Sequence, residues 1–244
     1  MVGRHRGAGA SVGGMERSSL VALALAGVLL GPGFARATDS DIQLWPVVTL
    51  DHGINDTWGA HLQLRVRFDE DVTNTKDVLV RPFVTWRGLE NLHVDLGYDY
   101  LGSIDGRSEH RLWLSGEHGL VWRDLKLGNR VRFDQRWVEN VDGVVARFRY
   151  RLRGTHPIPG TDWYGALSDE VFTNLNDRGQ GPVDGFEQNR LRAAVGSRLF
   201  GRVRAETGYE WQYADRRSGG FVNRHVFLIE LAIDSGTIRR ERQH

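Results

Sequence analysis

Arginine and carboxylate recur at every second position along much of this chain. Arg130, Arg132, Asp134 and Arg136 are spaced this way, as are Arg147, Arg149 and Arg151. Side chains of an extended strand alternate sides with period two, so each run lines one face. The same face of other runs carries Arg65 and Arg67, then His93, Asp95 and Asp99, then Arg111 and Glu117. Further along it carries Arg190, Arg192 and Arg198, then Arg204, Glu206 and Glu210. Two chemistries follow from such a lining. Rungs of arginine in a bore make a selectivity ladder for anions. Alternatively, the arginines pair with Asp95, Asp99, Glu117, Asp134, Glu206 and Glu210 and fill the bore.

The opposite face decides which side is inside. It reads Leu125, Leu127, Val131, Phe133 in one run and Val144, Ala146, Phe148, Tyr150, Leu152 in the next. Near the end it reads Val203, Ala205, Tyr209, Trp211, Tyr213. A soluble sandwich turns such a face into a core, whereas a membrane barrel turns it out to lipid. A lipid-facing arginine near the midplane costs about 2–4 kcal/mol. Inverting the chain would put more than a dozen arginines there, so the polar face lines the lumen.

Ten segments read as strands: roughly 56–68, 77–87, 92–101, 109–118, 124–137, 143–153, 162–172, 187–199, 202–213 and 221–233. Their connections alternate between short turns and longer polar loops, which assigns the loops to the cell surface and both barrel ends to the periplasm. The expectation is all-β: an antiparallel up-and-down transmembrane barrel of ten strands, within a range of ten to twelve. Residues 56–233 form it. Residues 38–55 are expected at the periplasmic mouth or inside the lumen, because Pro46 cannot donate to a sheet ladder. Pro82 raises the same objection in 77–87, where a bulge is expected. The phase of 162–172 is open, since Asp169 and Glu170 fall on both faces. About ten strands leave little more space than the eight-strand size that side chains fill, so a closed or very narrow bore is expected.

The ends frame this barrel. Arg17, the apolar run Leu20 to Leu30 and Ala35-Arg36-Ala37 make residues 1–37 an export signal, with Met15 a second candidate start. Residues 234–244 form a polar tail. The charges nearly cancel, with Lys+Arg 32 against Asp+Glu 31, which removes any global bias toward nucleic acid. Mean hydropathy of −0.41 excludes a helical membrane protein but not a barrel with a polar lumen. With Cys 0 there is no disulfide scaffold.

The aromatics Trp58, Trp86, Tyr98, Tyr100, Trp137, Trp163, Tyr209, Trp211 and Tyr213 suit interfacial girdles. Trp45 and Trp113 fit that pattern poorly and are better candidates for contact with a ligand. Catalytic signatures are thin. Ser108-Glu109-His110 holds nucleophile, acid and base types, but adjacent strand residues point to opposite faces and cannot form a triad. The histidines lack metal-ligand spacing. Asp69, Glu70, Asp71 and Asp77 share one loop that could attract Ca²⁺. The expectation is no catalytic residue, no resident metal and no cofactor.

Several short motifs resemble an uncharacterised bacterial domain-of-unknown-function family of predicted outer-membrane β-barrels. They are Asp41-Ile42-Gln43-Leu44-Trp45, Arg81-Pro82, Arg149 to Arg153, Asp169 to Asn174, Asn189-Arg190 and Glu206 to Gln212. The resemblance spans nearly the whole mature chain and implies a Gram-negative outer membrane, without supplying an activity. The expected partners are outer-membrane lipid and lipopolysaccharide and the outer-membrane assembly machinery, with no nucleic acid, for a monomer. The polar end of the chain departs from the terminal aromatic common among outer-membrane proteins.

Overall fold

A computed structural model describes residues 40–104, 106–179, 182–215 and 219–236. The expected export signal and residues 237–244 of the polar tail lie outside the described residues. Within them every regular element is a strand. The strands are β1 (Ser40–Gly53), β2 (Trp58–Asp69), β3 (Asn74–Leu89), β4 (Leu92–Ser103), β5 (Glu109–Trp122) and β6 (Leu125–Val138). They continue as β7 (Val145–Pro157), β8 (Trp163–Asn174), β9 (Gly185–Phe200), β10 (Val203–Asp215) and β11 (Phe221–Asp234). Each pairs with its neighbours in sequence, and β1 closes on β11, so one sheet forms a barrel with no free edge. The alternation therefore does build an all-β barrel, with a strand count between ten and twelve.

The additional stave is β1, within the segment expected at a mouth or in the lumen. It obeys the period-two rule like the others: Gln43, Trp45, Val47 and Asp51 are buried, while Ile42, Val48 and Leu50 are exposed. Pro46 is accommodated because the β1–β2 ladder lapses only around it. Leu44 pairs with Phe68 and Val47 with Arg65 in unchanged register, with no pairing between them. On its other side β1 pairs continuously with β11, from Ser40 opposite Asn223 to Asp51 opposite Asp234.

An odd number of staves makes the closing pair parallel, which the β1–β11 register shows. Direction along β1 follows. It starts at the rim of the mostly longer connections, 70–73, 104–108, 139–144, 175–184 and 216–220, and descends to the rim of 54–57, 90–91, 123–124, 158–162 and 201–202. The chain thus enters the barrel at one rim and leaves at the other, contrary to the expectation that both ends share one.

One register shift re-aims a side chain. Between β8 and β9 the register shifts, with Phe172 opposite Gln188 and Thr173 opposite Phe186. The extra residue, Glu187, turns inward beside Gln188, as a bulge allows. At Pro82 no bulge forms. Val80 pairs with Tyr100 and Phe83 with Gly97 in one register, and only the β3–β4 pairing at Arg81 and Pro82 is missing. A missing N–H removes ladder bonds without displacing the strand.

Candidate functional site

The polar face lies inside the barrel, and its chemistry is organised around three inward aromatic rings. Trp113 of β5 sits over Gly97 of β4, where an added Cβ would lie 2.2 Å from Trp113 Cζ2. Glycine at 97 is what lets this ring lie down inside the wall. The Arg132 guanidinium carbon stacks 4.0 Å from the ring centroid and that of Arg81 lies at 5.6 Å. The indole N–H donates to Asp99 Oδ1 at 2.6 Å. Asp99 also accepts a bidentate pair from Arg81, 2.7 Å at both nitrogens, and a third arginine contact from Arg132 Nη2 at 3.2 Å.

Trp45 of β1 forms the second node. Its N–H donates to Gln43 Oε1 at 3.0 Å, and it packs on Val226 and Leu228. Arg65, Arg67 and Arg190 stand 4.7, 5.2 and 5.3 Å from its centroid. Phe172 of β8 forms the third, with Arg149 at 4.3 Å, Arg190 at 4.6 Å and Arg147 at 5.4 Å. Arg190 therefore bridges two rings. The three rings are almost fully buried, at 2 % exposure for Trp45, 4 % for Trp113 and 1 % for Phe172. Guanidinium on an aromatic face is a favourable pairing that strengthens when desolvated.

Carboxylates tie the arginines across strands. Asp134 accepts from Arg132 Nε at 2.6 Å and Arg147 Nε at 2.9 Å. Glu109 takes both Arg111, at 2.6 and 2.8 Å, and Arg136, at 2.5 and 3.1 Å. Glu170 accepts from Arg149 Nη2 at 2.8 Å and Arg130 Nη2 at 2.7 Å. Glu187 accepts from Arg147 Nη1 at 3.1 Å and Arg136 Nη1 at 3.2 Å. Such a network holds buried charge because nearly every charge has a partner.

Toward the rim of shorter turns the lining becomes a polar chain across five strands. His61 Nδ1 lies 2.7 Å from Asp51 Oδ1, and His61 Nε2 lies 3.1 Å from Thr85 Oγ1. Thr85 donates to Asp95 at 2.7 Å, and Ser115 donates to the same carboxylate at 3.1 Å. The order carboxylate, imidazole, hydroxyl is that of a nucleophilic relay, but here the hydroxyl proton is directed at Asp95. Nearby, a cavity of about 180 Å³ is bounded by Thr49, Tyr164, Arg204, Glu206 and Glu230 among others. Glu206 accepts from Arg153 at 2.6 Å, from the Tyr164 hydroxyl at 2.8 Å and from Arg192 at 2.8 Å. Arg204 reaches Asp51 at 3.2 Å.

A family model described as "Protein of unknown function (DUF2490)" matches residues 42–223, from β1 into β11. The chain belongs to this DUF2490 family. It is 29 % identical over 224 residues to an uncharacterised protein of Methylorubrum extorquens, a match covering 86 % of this chain and 96 % of that one. No solved structure matches.

In this DUF2490 barrel several residues of the alternating polar face pair with carboxylates. Arg67 pairs with Asp77, Arg151 with Glu117 at 2.7 Å, and Arg190 with Glu210 at 3.8 Å. Arg65 meets no carboxylate among the described residues and faces Trp45. Trp45 and Trp113, the two aromatics that did not suit an outer girdle, are inside. The nine assigned to the girdle face outward, with Trp58, Tyr98, Tyr100, Trp137, Trp163 and Tyr209 exposed. Arg198 is exposed beside the short-turn rim.

Several members were missed. Asp51 lies on β1, the stave carrying Pro46, and joins His61 of the neighbouring β2. Arg81 was masked by the neighbouring Pro82, and Glu187 depends on a bulge. Glu109 was grouped with Ser108 and His110, but the three diverge. Glu109 binds arginines inside, His110 contacts the Tyr98 hydroxyl on the outer face, and the Ser108 N–H donates to Glu139 at 3.0 Å. The acidic loop also divides, as Asp77 pairs with Arg67 and Asp69 with Lys76. On β8, Glu170 points in and Asp169 out, where Asn189 Nδ2 donates to Asp169 Oδ1 at 2.6 Å.

Proposed function

We propose that this protein is an outer-membrane barrel whose lumen is closed by its own arginine–aromatic network, serving the envelope structurally rather than as an open porin. The observation that carries this reading is the burial of Trp45, Trp113 and Phe172 beneath stacked guanidiniums that are themselves tied to carboxylates. An open porin needs a continuous water-filled path. Here most lumenal arginines are already committed to carboxylates on the facing strands.

The outer face supports a bilayer setting. Leu64, Val78, Val84, Leu96, Leu114, Phe133, Leu152 and Ile229 are exposed between the rims. Trp58, Trp122 and Trp163 ring the short-turn end, and Tyr98, Tyr100 and Trp137 lie toward the other. An apolar band between aromatic girdles is what a lipid-facing barrel requires. Fractionation of cells producing the full chain tests the setting. Retention in the outer-membrane pellet after carbonate extraction is expected, and release into the soluble fraction would overturn it.

A further inference from the structure

Beside Trp45 the interior holds an arginine, Arg65, that contacts no carboxylate among the described residues. Three guanidiniums, Arg65, Arg67 and Arg190, face that ring. Two carboxylates serve them. Asp77 takes Arg67 through Nε at 2.6 Å. Glu210 stands 3.8 Å from Arg190 and already accepts from Gln212 Nε2 at 2.6 Å. The neighbouring arginines are occupied, Arg81 by Asp99 and Arg149 by Glu170, and Asp41 and Arg224 lie opposite each other in the β1–β11 register. Three positive groups against two negative ones leave one positive charge. The Nε atoms of both Arg65 and Arg190 are buried and meet no acceptor among the described residues.

We infer that a single monovalent anion of halide size binds in the barrel interior between Arg65 and Arg190, beside Trp45. A buried, unneutralised guanidinium is costly, and an anion that accepts from the two open Nε donors removes both the excess charge and the unmet hydrogen bonds. The class follows from the site. One excess charge calls for a monovalent ion. The space is small: the side chains of Arg67, Arg81 and Arg190 keep only 18, 16 and 17 % of their surface accessible. So little room suits a single-atom anion such as chloride better than an oxyanion carrying several oxygens. Trp45 does not compete, because a ring face attracts the cations and leaves their N–H edges for the anion. The site depends only on the barrel interior, so it stands or falls separately from the membrane setting.

The test uses the folded full-length barrel in detergent. Crystals grown in bromide should give an anomalous peak in contact with Arg65 and Arg190, and crystals of Arg65→Met should lose that peak while keeping any surface sites. At constant ionic strength, replacing chloride with gluconate should lower the melting temperature of the wild type by several degrees and leave Arg65→Met unmoved. If Arg65→Met does not fold, Arg65→Gln serves, and the wild-type map and melting shift stand alone. No peak beside Trp45, a peak without any anion-dependent melting shift (an adventitious ion only), or a peak with selenate but not bromide would each overturn the inference.

Discussion

Arg132 and Trp113 close a triangle with Asp99. The guanidinium lies 4.0 Å over the indole, and both groups donate to the same carboxylate, at 3.2 and 2.6 Å. This couples a cation, a ring and an anion contributed by three successive strands, so each holds the other two in place. The rigidity of the barrel interior comes from such closed circuits rather than from an apolar core, whose contiguous buried cluster among the described residues is Trp45, Val226 and Leu228.

Replacing Arg132 with Met should therefore be severe. It leaves Asp99 and Asp134 each short of a buried partner, at a cost of about 3–5 kcal/mol. Arg204→Met should cost less than about 1 kcal/mol, because the Arg204 side chain is 59 % exposed where it meets Asp51. Urea unfolding of the two variants side by side in lipid vesicles reads the difference, and equal effects would contradict the circuit.

Gly97→Ala should displace the Trp113 ring, since the new methyl would meet Cζ2 at 2.2 Å. Overpacking of this kind costs about 1–3 kcal/mol. The loss should be read as a lowered urea midpoint and a shift in tryptophan emission, and Gly116→Ala, where nothing lies within 4 Å, is the control.

The loop 70–73 holds three consecutive non-glycine residues in the left-handed region, Glu70 at φ 50°, Asp71 at 55° and Val72 at 68°. A β-branched residue is the poorest choice there, with a penalty of about 1–2 kcal/mol that glycine avoids. Val72→Gly should raise the melting temperature slightly, and a fall would show that Val72 makes contacts outweighing its backbone cost.

The outward pair Asp169 and Asn189 is the polar exception on an apolar stretch of β8 and β9, with Leu152 and Leu191 opposite Asp169 in the ladder. In a bilayer, a carboxylate there opposes insertion. Asp169→Leu combined with Asn189→Leu should make folding into vesicles more favourable than for wild type. No gain, or a loss, would mean that this face is covered by something other than lipid.

Period two was easiest to read on β6 and β7, where Arg130 to Arg136 and Arg147 to Arg151 alternate with Val131, Phe133, Phe148 and Tyr150. Those assignments needed nothing beyond strand geometry. The stave β1 was harder because Pro46 is a legitimate objection to a central strand. Only the three-dimensional ladder shows that the loss is confined to one stretch of the β1–β2 side. Parallel closure of β1 on β11 also lets the barrel hold an odd number of staves. Glu187 was invisible because a one-residue bulge inverts its phase, a shift that periodicity alone cannot register. Asp169 and Glu170 carried no local signal at all. Their sides are set by Arg130 and Arg149 inside and Asn189 outside, all distant in sequence.

Single-channel recording in a planar bilayer tests the closed lumen most directly, using folded wild type beside Trp45→Ala with Phe172→Ala. The wild type should show no steady conductance, and removing two of the stacked rings should produce openings. Steady ohmic current through the wild-type barrel would contradict the closed lumen and make the lumenal arginines the lining of a working pore.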